Sequence, residues 1–328
     1  MKVVVADYEF PNLNPDKDAL KDLPGLELVD AKCTNEDELI AACSDADGLL
    51  NQYNYITPRV IDSMKNCKAI STYGIGVDKI NVEAATKKGI YVCNSPEYNQ
   101  YEVCDHTVML ILALSRQLVQ LDRAIHKGVY GVMKIDNTLV RPYGQTLGFV
   151  GFGRIAKQIA EKMKMFGMKV ICYDPFLTAE QCEAAGATKM ELDDVMKNAD
   201  FVSINVSLTE QTRHMIGAHE LGLMKPTAYL INCGRGAIID EAAMVKVLQE
   251  KRIYGAALDT FEVEPILPGH PLLELDNVIT TPHSAWNTKE SMYSMQYVAA
   301  RQVALVLQGK KPEHCVNYDA VQEVLKNQ

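Results

Sequence analysis

Gly151-Phe152-Gly153-Arg154-Ile155-Ala156 forms a G-x-G-x-x-A turn, and its neighbours leave few folds open to the chain. Residues 147–150 ahead of it are a short apolar run suited to a buried parallel strand. Ile155, Ile159, Met163 and Phe166 behind it repeat at helical spacing, and residues 169–173 form a second apolar run ending at Asp174. Strand, tight turn, helix, strand and acid follow in the order of a dinucleotide site. Gly151 allows the sharp turn, and Gly153 lets backbone approach a pyrophosphate with no Cβ in the way. Arg154 and Ile155 open the helix, whose free N–H groups and dipole favour the phosphates. Asp174 would accept hydrogen bonds from the adenosine ribose hydroxyls and repel a 2′-phosphate. Phe176 and Leu177 offer no cation to that phosphate, so NAD is expected rather than NADP.

Two such sheets are expected in 328 residues. Residues 1–100 alternate β-like runs at 3–6, 26–31, 48–51, 69–72 and 91–93 with helical patterns near 16–22, 36–42, 58–64 and 82–88. Alternation of this kind implies a parallel sheet covered on both faces. A single long helix is expected over 102–126, which lacks Pro and Gly, followed by an irregular stretch at 128–144. Beyond the dinucleotide unit, strands are expected at 201–204, 229–232, 255–258 and 278–280, with helices near 220–224, at 241–251 and at 289–308.

Composition excludes several classes. The formal charge of −9 and pI near 5.4 argue against a nucleic-acid surface, which needs clustered Lys and Arg. No run approaches the ~18 apolar residues of a membrane span, and the start MKVVVADYEF reads as a first strand rather than a signal peptide. Nine scattered cysteines without a C-x-x-C pair suggest reduced thiols in a cytoplasmic protein. No metal-ligand pattern stands out.

Three segments at strand ends carry the chemistry. They are Asn232-Cys233-Gly234-Arg235-Gly236, Asp259-Thr260-Phe261-Glu262-Val263-Glu264-Pro265 and Thr281-Pro282-His283-Ser284-Ala285-Trp286. Ligands bind outside the carboxyl ends of strands in open α/β sheets. Reducing a 2-oxo acid needs a proton donor, and an imidazole titrating near ~6.5 serves, with a carboxylate to keep its ring charged and oriented. His283 is the candidate donor. Arg235 can clamp the substrate carboxylate in a planar fork. By composition Glu262 and Glu264 are equal candidates for the partner acid, and Asp259 is either a nicotinamide neighbour or a cap. Earlier, the loop Ser71-Thr72-Tyr73-Gly74-Ile75-Gly76-Val77-Asp78 is either an anion-binding nest or a plain strand-to-helix turn.

From about residue 71 to 308 the chain resembles the NAD-dependent D-2-hydroxyacid dehydrogenase family, through YGIGVDKI, GFVGFGRIA, YLINCGRGAIID, ALDTFEVEP and TPHSAW. The resemblance implies Arg235, Glu264 and His283 as the catalytic set, the acid being the one directly before the proline. It implies Tyr73, Gly74, Ile75 and Gly76 at the substrate carboxylate. Gly151, Gly153, Arg154, Ile155, Asp174, Val206, Ser207, Cys233, Asp259, His283 and Ala285 would contact the cofactor. It further implies a Rossmann-type NAD domain at 102–289, a discontinuous flavodoxin-like substrate domain at 1–101 and 290–328, closure of the two around substrate, and a homodimer built around the helix at 102–126 and the irregular arm at 128–144 after it. Hydroxypyruvate or glyoxylate reduction is the alternative within the family. Asn51-Gln52-Tyr53-Asn54 stands where phosphoglycerate dehydrogenases have an Arg-Ser type loop, which speaks against a phosphorylated substrate, and formate dehydrogenases have Gln in the place of Glu264. Tyr53, Tyr73, Tyr98, Tyr101 and Trp286 either line an aromatic pocket or simply pack. YVCNSPEYNQYEVCDHT also resembles the C-terminal binding proteins, NAD-using corepressors, which leaves an NAD-sensing interaction role open.

Overall fold

Apolar runs without polar alternation suit strands covered on both faces. The computed structural model describes residues 1–134 and 139–327, and the first hundred alternate strand and helix throughout. β1 (Lys2–Val5), α1 (Asn14–Leu20), β2 (Glu27–Asp30), α2 (Glu36–Cys43), β3 (Gly48–Asn51), α3 (Pro58–Ser63), β4 (Ala69–Thr72), α4 (Val82–Lys87) and β5 (Tyr91–Cys93) follow one another. Their strands pair in parallel in the order β2-β1-β3-β4-β5, the flavodoxin-like doubly wound order. The order reverses between β1 and β3. The segments leaving those two strands, at Asp7 and Gln52, therefore sit where such sheets open a ligand crevice.

A second, seven-stranded sheet is built from α5 (Gln100–Ser115), α6 (Leu118–His126), β6 (Thr146–Val150), α7 (Arg154–Met165), β7 (Lys169–Tyr173), α8 (Ala179–Ala184), β8 (Thr188–Lys189), α9 (Leu192–Asn198), β9 (Phe201–Ile204), α10 (Ala218–Leu223), β10 (Tyr229–Asn232), α11 (Glu241–Gln249), β11 (Gly255–Leu258) and β12 (Val278–Thr280). All strands are parallel, in the order β12-β11-β10-β9-β6-β7-β8. This is the doubly wound Rossmann arrangement, reversing between β6 and β9. One face buries Phe149, Phe152, Phe201, Ile159 and Met163, and the other Ile204, Leu230, Leu248 and Leu258.

The single helix expected over 102–126 is two helices. Gln117 adopts a left-handed conformation (φ 48°, ψ 42°) between α5 and α6. Its side chain is buried and donates from Nε2 to Tyr254 Oη at 2.9 Å, while the Ser115 carbonyl accepts Val140 N–H at 3.0 Å. Contacts with distant residues outweigh local helix propensity here. Within 128–144 one 3-10 turn, Val132–Lys134, is present, and 135–138 lie outside the described residues.

The chain then returns to the first sheet through α12 (Lys289–Leu307) and α13 (Tyr318–Lys326). Val303, fully buried, fills the space above Gly48 of β3, where any Cβ would come within 2.5 Å of it. Burial of one such valine contributes about 1.5–3 kcal/mol. Asn317 closes the end of β5, accepting Val92 N–H at 2.8 Å and donating to Ile90 O at 3.0 Å. By contacts the chain forms two units, Met1–Asn99 with Asn287–Gln328, and Gln100–Trp286.

Candidate active site

In the second unit the G-x-G-x-x-A turn leaves β6 and opens α7. Gly151 has φ +86°, and a Cβ there would lie 2.7 Å from Val206 Cγ1 and 2.8 Å from the Asn205 carbonyl carbon. Only glycine fits, since the segment leaving β9 lies directly against it. At Gly153 a Cβ would meet nothing within 4 Å. No side chain caps α7 at Gly153, and a helix start of this kind suits an anion. Asp174 ends β7 with both oxygens turned to this turn and its own loop. Oδ2 accepts Phe152 N–H at 2.9 Å and Oδ1 accepts Phe176 N–H at 2.9 Å. An open turn, an uncapped helix start and an acid at the end of the next strand fit a dinucleotide. Val206 is half-buried and Ser207 exposed after β9. Burial raises the Cys233 thiol to about 12, with the nearby Asp259 charge adding to it against a bond with Thr107. Cys233 is therefore a neutral thiol and offers no nucleophile.

The three candidate catalytic residues arise at the ends of β10, β11 and β12. Arg235 follows Asn232, whose Oδ1 accepts Gly234 N–H at 2.9 Å and whose Nδ2 donates to Arg235 O at 3.0 Å. The next residue must be glycine, because a Cβ on Gly236 would sit 1.9 Å from the Phe261 carbonyl carbon. That contact seats the Arg235 turn on the chain leading to Glu264. Glu264 Oε2 faces His283 Nδ1 at 2.8 Å, and Oε1 accepts Phe261 N–H at 3.0 Å. Burial pushes the Glu264 carboxyl up, but the His283 bond and charge, the Phe261 N–H and the Arg235 charge together hold it below the ordinary range. Glu264 is thus ionised and can only accept, which assigns a proton to Nδ1 and leaves Nε2 of His283 outside this pairing. Glu262 is engaged elsewhere, with Oε1 on His214 Nε2 at 2.7 Å. The geometry separates two acids that composition left equivalent.

His283 itself is left-handed, at φ +50°, a conformation uncommon for a non-glycine residue. Asp259 holds it there. Its carbonyl accepts His283 N–H at 2.8 Å, and its buried carboxylate accepts Ser284 N–H and Ala285 N–H, each at 2.9 Å, and the Thr281 hydroxyl. Asp259 therefore acts as the clasp of this loop, whatever else it touches. Thr281 Oγ1 in turn meets His106 Nε2 at 3.1 Å. Since Thr281 donates to Asp259, His106 must donate from Nε2. Burial, opposed by the Asp259 charge, lowers the His106 pKa and keeps that ring neutral. His106 and Thr281 lie within the motifs above without an expected task there; a histidine next to Thr107, which is buried on α5, is the local signal for it.

The first unit contributes the glycine loop after β4. The Gly74 carbonyl accepts Ser95 N–H at 2.8 Å and the Ile75 carbonyl accepts Asn94 Nδ2 at 2.7 Å. The N–H groups of Ile75 and Gly76 make no bond among the described residues. Carbonyls secured and amides left over is the pattern of an anion nest. The Tyr73 ring is buried, and its hydroxyl donates to Asp16 at 2.7 Å. Beside the loop, Asp7 accepts the N–H groups of Gln52, Tyr53 and Asn54 at 2.9, 2.7 and 3.1 Å. Tyr53 Oη donates to Glu9 at 3.0 Å. Tyr98 and Trp286 are half-buried, and Tyr101, at the start of α5, is exposed.

Residues 108–285 match the family model for the D-isomer specific 2-hydroxyacid dehydrogenase NAD binding domain. A D-3-phosphoglycerate dehydrogenase of Methanocaldococcus jannaschii is 39% identical over 304 residues, 92% of this chain, which spans only 57% of that relative. A glyoxylate reductase of Thermofilum pendens is 38% identical over 318 residues, 92% of this chain and 93% of the relative. Among solved structures, a D-lactate dehydrogenase from Aquifex aeolicus complexed with NAD and lactic acid superposes with a TM-score of 0.83 at 30% identity, covering 100% of this chain and 98% of that one.

Proposed function

This chain belongs to the D-isomer specific 2-hydroxyacid dehydrogenase family, and we propose that it works as a reductase of a small, unphosphorylated 2-oxo acid, with His283 as general acid. The observation that carries this reading is the 2.8 Å pairing of His283 Nδ1 with Glu264 beside Arg235. Bound NADH supplies the hydride. His283 Nε2 then gives a proton to the ketone oxygen, or takes one from the hydroxyl in the oxidative direction. Glu264 fixes the ring, and Arg235 clamps the carboxylate and polarises the carbonyl. The amides of Ile75 and Gly76 in the first unit's glycine loop are assigned to a substrate carboxylate. Gly151, Gly153, Arg154, Ile155, Asp174, Val206, Ser207, Cys233, Asp259 and Ala285 are assigned to the cofactor.

Asp7 favours the unphosphorylated class. The amides of residues 52–54, the stretch where the phosphorylated-substrate relatives are expected to carry a basic loop, are already held by a carboxylate. A phosphate brought there would meet like charge. Glyoxylate and hydroxypyruvate remain within the proposed class. All nine cysteines are unpaired, which fits a reducing compartment such as the cytoplasm. Leu118, Ile125, Tyr130, Met133 and Tyr143 are exposed along one stretch of the second unit, and a second copy of the chain is the proposed cover. Sedimentation should then give a mass near twice 36.4 kDa; a monomer at micromolar concentration would remove the dimer.

The deciding experiment is NADH oxidation against a panel of 2-oxo acids, phosphorylated and not, with product chirality determined. Turnover of an unphosphorylated member to the D-product is expected. Silence across the panel would replace catalysis with an NAD-sensing interaction role.

A further inference from the structure

Asp16 is fully buried on α1, yet no Lys or Arg among the described residues pairs with it. An uncompensated carboxylate in an apolar interior is costly, and a well-packed apolar side chain would ordinarily serve stability better. What it does have is two side-chain donors. Tyr73 Oη reaches Oδ1 at 2.7 Å, and Gln296 Nε2 of α12 reaches Oδ2 at 2.8 Å while also meeting Asn12 O at 2.9 Å. Phe10 lies edge-on to the Tyr73 ring at 5.0 Å and closes the other side.

A second chain of bonds starts one residue away on the same helix. Met295 O accepts the buried Ser95 hydroxyl at 3.2 Å, and Ser95 N–H donates to Gly74 O at 2.8 Å. Consecutive residues of α12, Met295 and Gln296, are thus tied to consecutive residues of the loop, Gly74 and Tyr73. We propose that Asp16, Gln296 and Ser95 are positioning residues that fix the Tyr73–Gly76 backbone, so that the amides of Ile75 and Gly76 stand ready for the substrate carboxylate. This rests on the assignment of that loop to the carboxylate. None of the three touches substrate.

The test uses the full chain with NADH and reads two quantities. In Tyr73→Phe, exchange of the residue-95 amide, which is bonded to Gly74 O and reports how firmly the loop is held, should quicken about tenfold, the worth of one lost hydrogen bond. KM for the accepted 2-oxo acid should rise by about the same factor, with kcat changed less than about threefold and NADH affinity unaltered. Ser95→Ala, which cuts the other chain, should reproduce the split and stands in if the first variant folds poorly. Unchanged exchange overturns the positioning assembly, whether or not any substrate is turned over. Faster exchange with an unchanged KM overturns the assignment of the loop to the substrate instead.

Discussion

At the scale of single residues, the division of labour around His283 can be tested by removal. His283→Ala should lower kcat at neutral pH by about two orders of magnitude or more, the usual worth of a positioned acid. Near-normal turnover would mean that another group delivers the proton. Asp174→Ala should weaken NADH binding and improve NADPH, since the acid stands at the end of β7 beside the turn. Because Asp174 also holds Phe152 N–H, part of the NADH loss will come from a looser turn, and the gain for NADPH is the diagnostic half. An unchanged preference, measured by titrating both cofactors, would mean the acid does not reach the ribose. Arg235, Glu262, Glu264 and His283 stood out as candidates because each follows an apolar strand run. The choice of Glu264 over Glu262 came only from resemblance until the His214 contact of Glu262 was visible. The relay from His106 through Thr281 to Asp259 joins residues more than a hundred positions apart, and no local pattern announces it.

At the scale of elements, legibility follows the source of each element's stability. β3, β4, β5, β9, β10, β11 and β12 begin and end where their apolar runs do, because a strand buried on both faces is set by its own composition. The break at Gln117 depends on Tyr254 and Val140, so a helical pattern continuing through it was misleading. α13 lay beyond the last helix the pattern singled out. Two glycines show how differently turns use the same residue. Ala at Gly236 would overlap the Phe261–Glu262 backbone, so the ends of β10 and β11 must part. That variant should lose several degrees of Tm and at least about tenfold in kcat, as Arg235 moves off Glu264. Ala at Gly153 meets open space and an ordinary φ of −77°. Its Tm should hold while the Kd for NADH rises about tenfold or more, since the methyl occupies the phosphate cradle. Equal affinity for NADH in Gly153→Ala would mean the pyrophosphate does not lie there.

For the whole molecule, Asp16 sets a pH dependence that opposes the usual one. Glu264 and Glu313 titrate below the ordinary carboxylate range, so the stability they contribute is present at neutral pH and lost on acidification through their folded values. Asp16 runs the other way. Burial raises its carboxyl from 3.8 to about 6, against the opposing bonds from Tyr73 and Gln296. A carboxyl raised on folding binds its proton more tightly in the native chain. Its contribution is full below about 4 and disappears as pH climbs through about 6, a difference of roughly 3 kcal/mol. The phenols beside it, Tyr8 and Tyr73, are both pushed up from the ordinary tyrosine value, chiefly by burial, and stay neutral across that window. Comparing unfolding free energies of the wild type and Asp16→Asn between pH 4 and 7 cancels the remaining carboxylates and isolates this one. The wild type should lose ground to the variant as pH rises from 4 to 6 and run parallel to it above 7. Parallel curves throughout would mean that Asp16 is solvated or paired with a cation in solution, and the buried charge that holds Tyr73 would not exist.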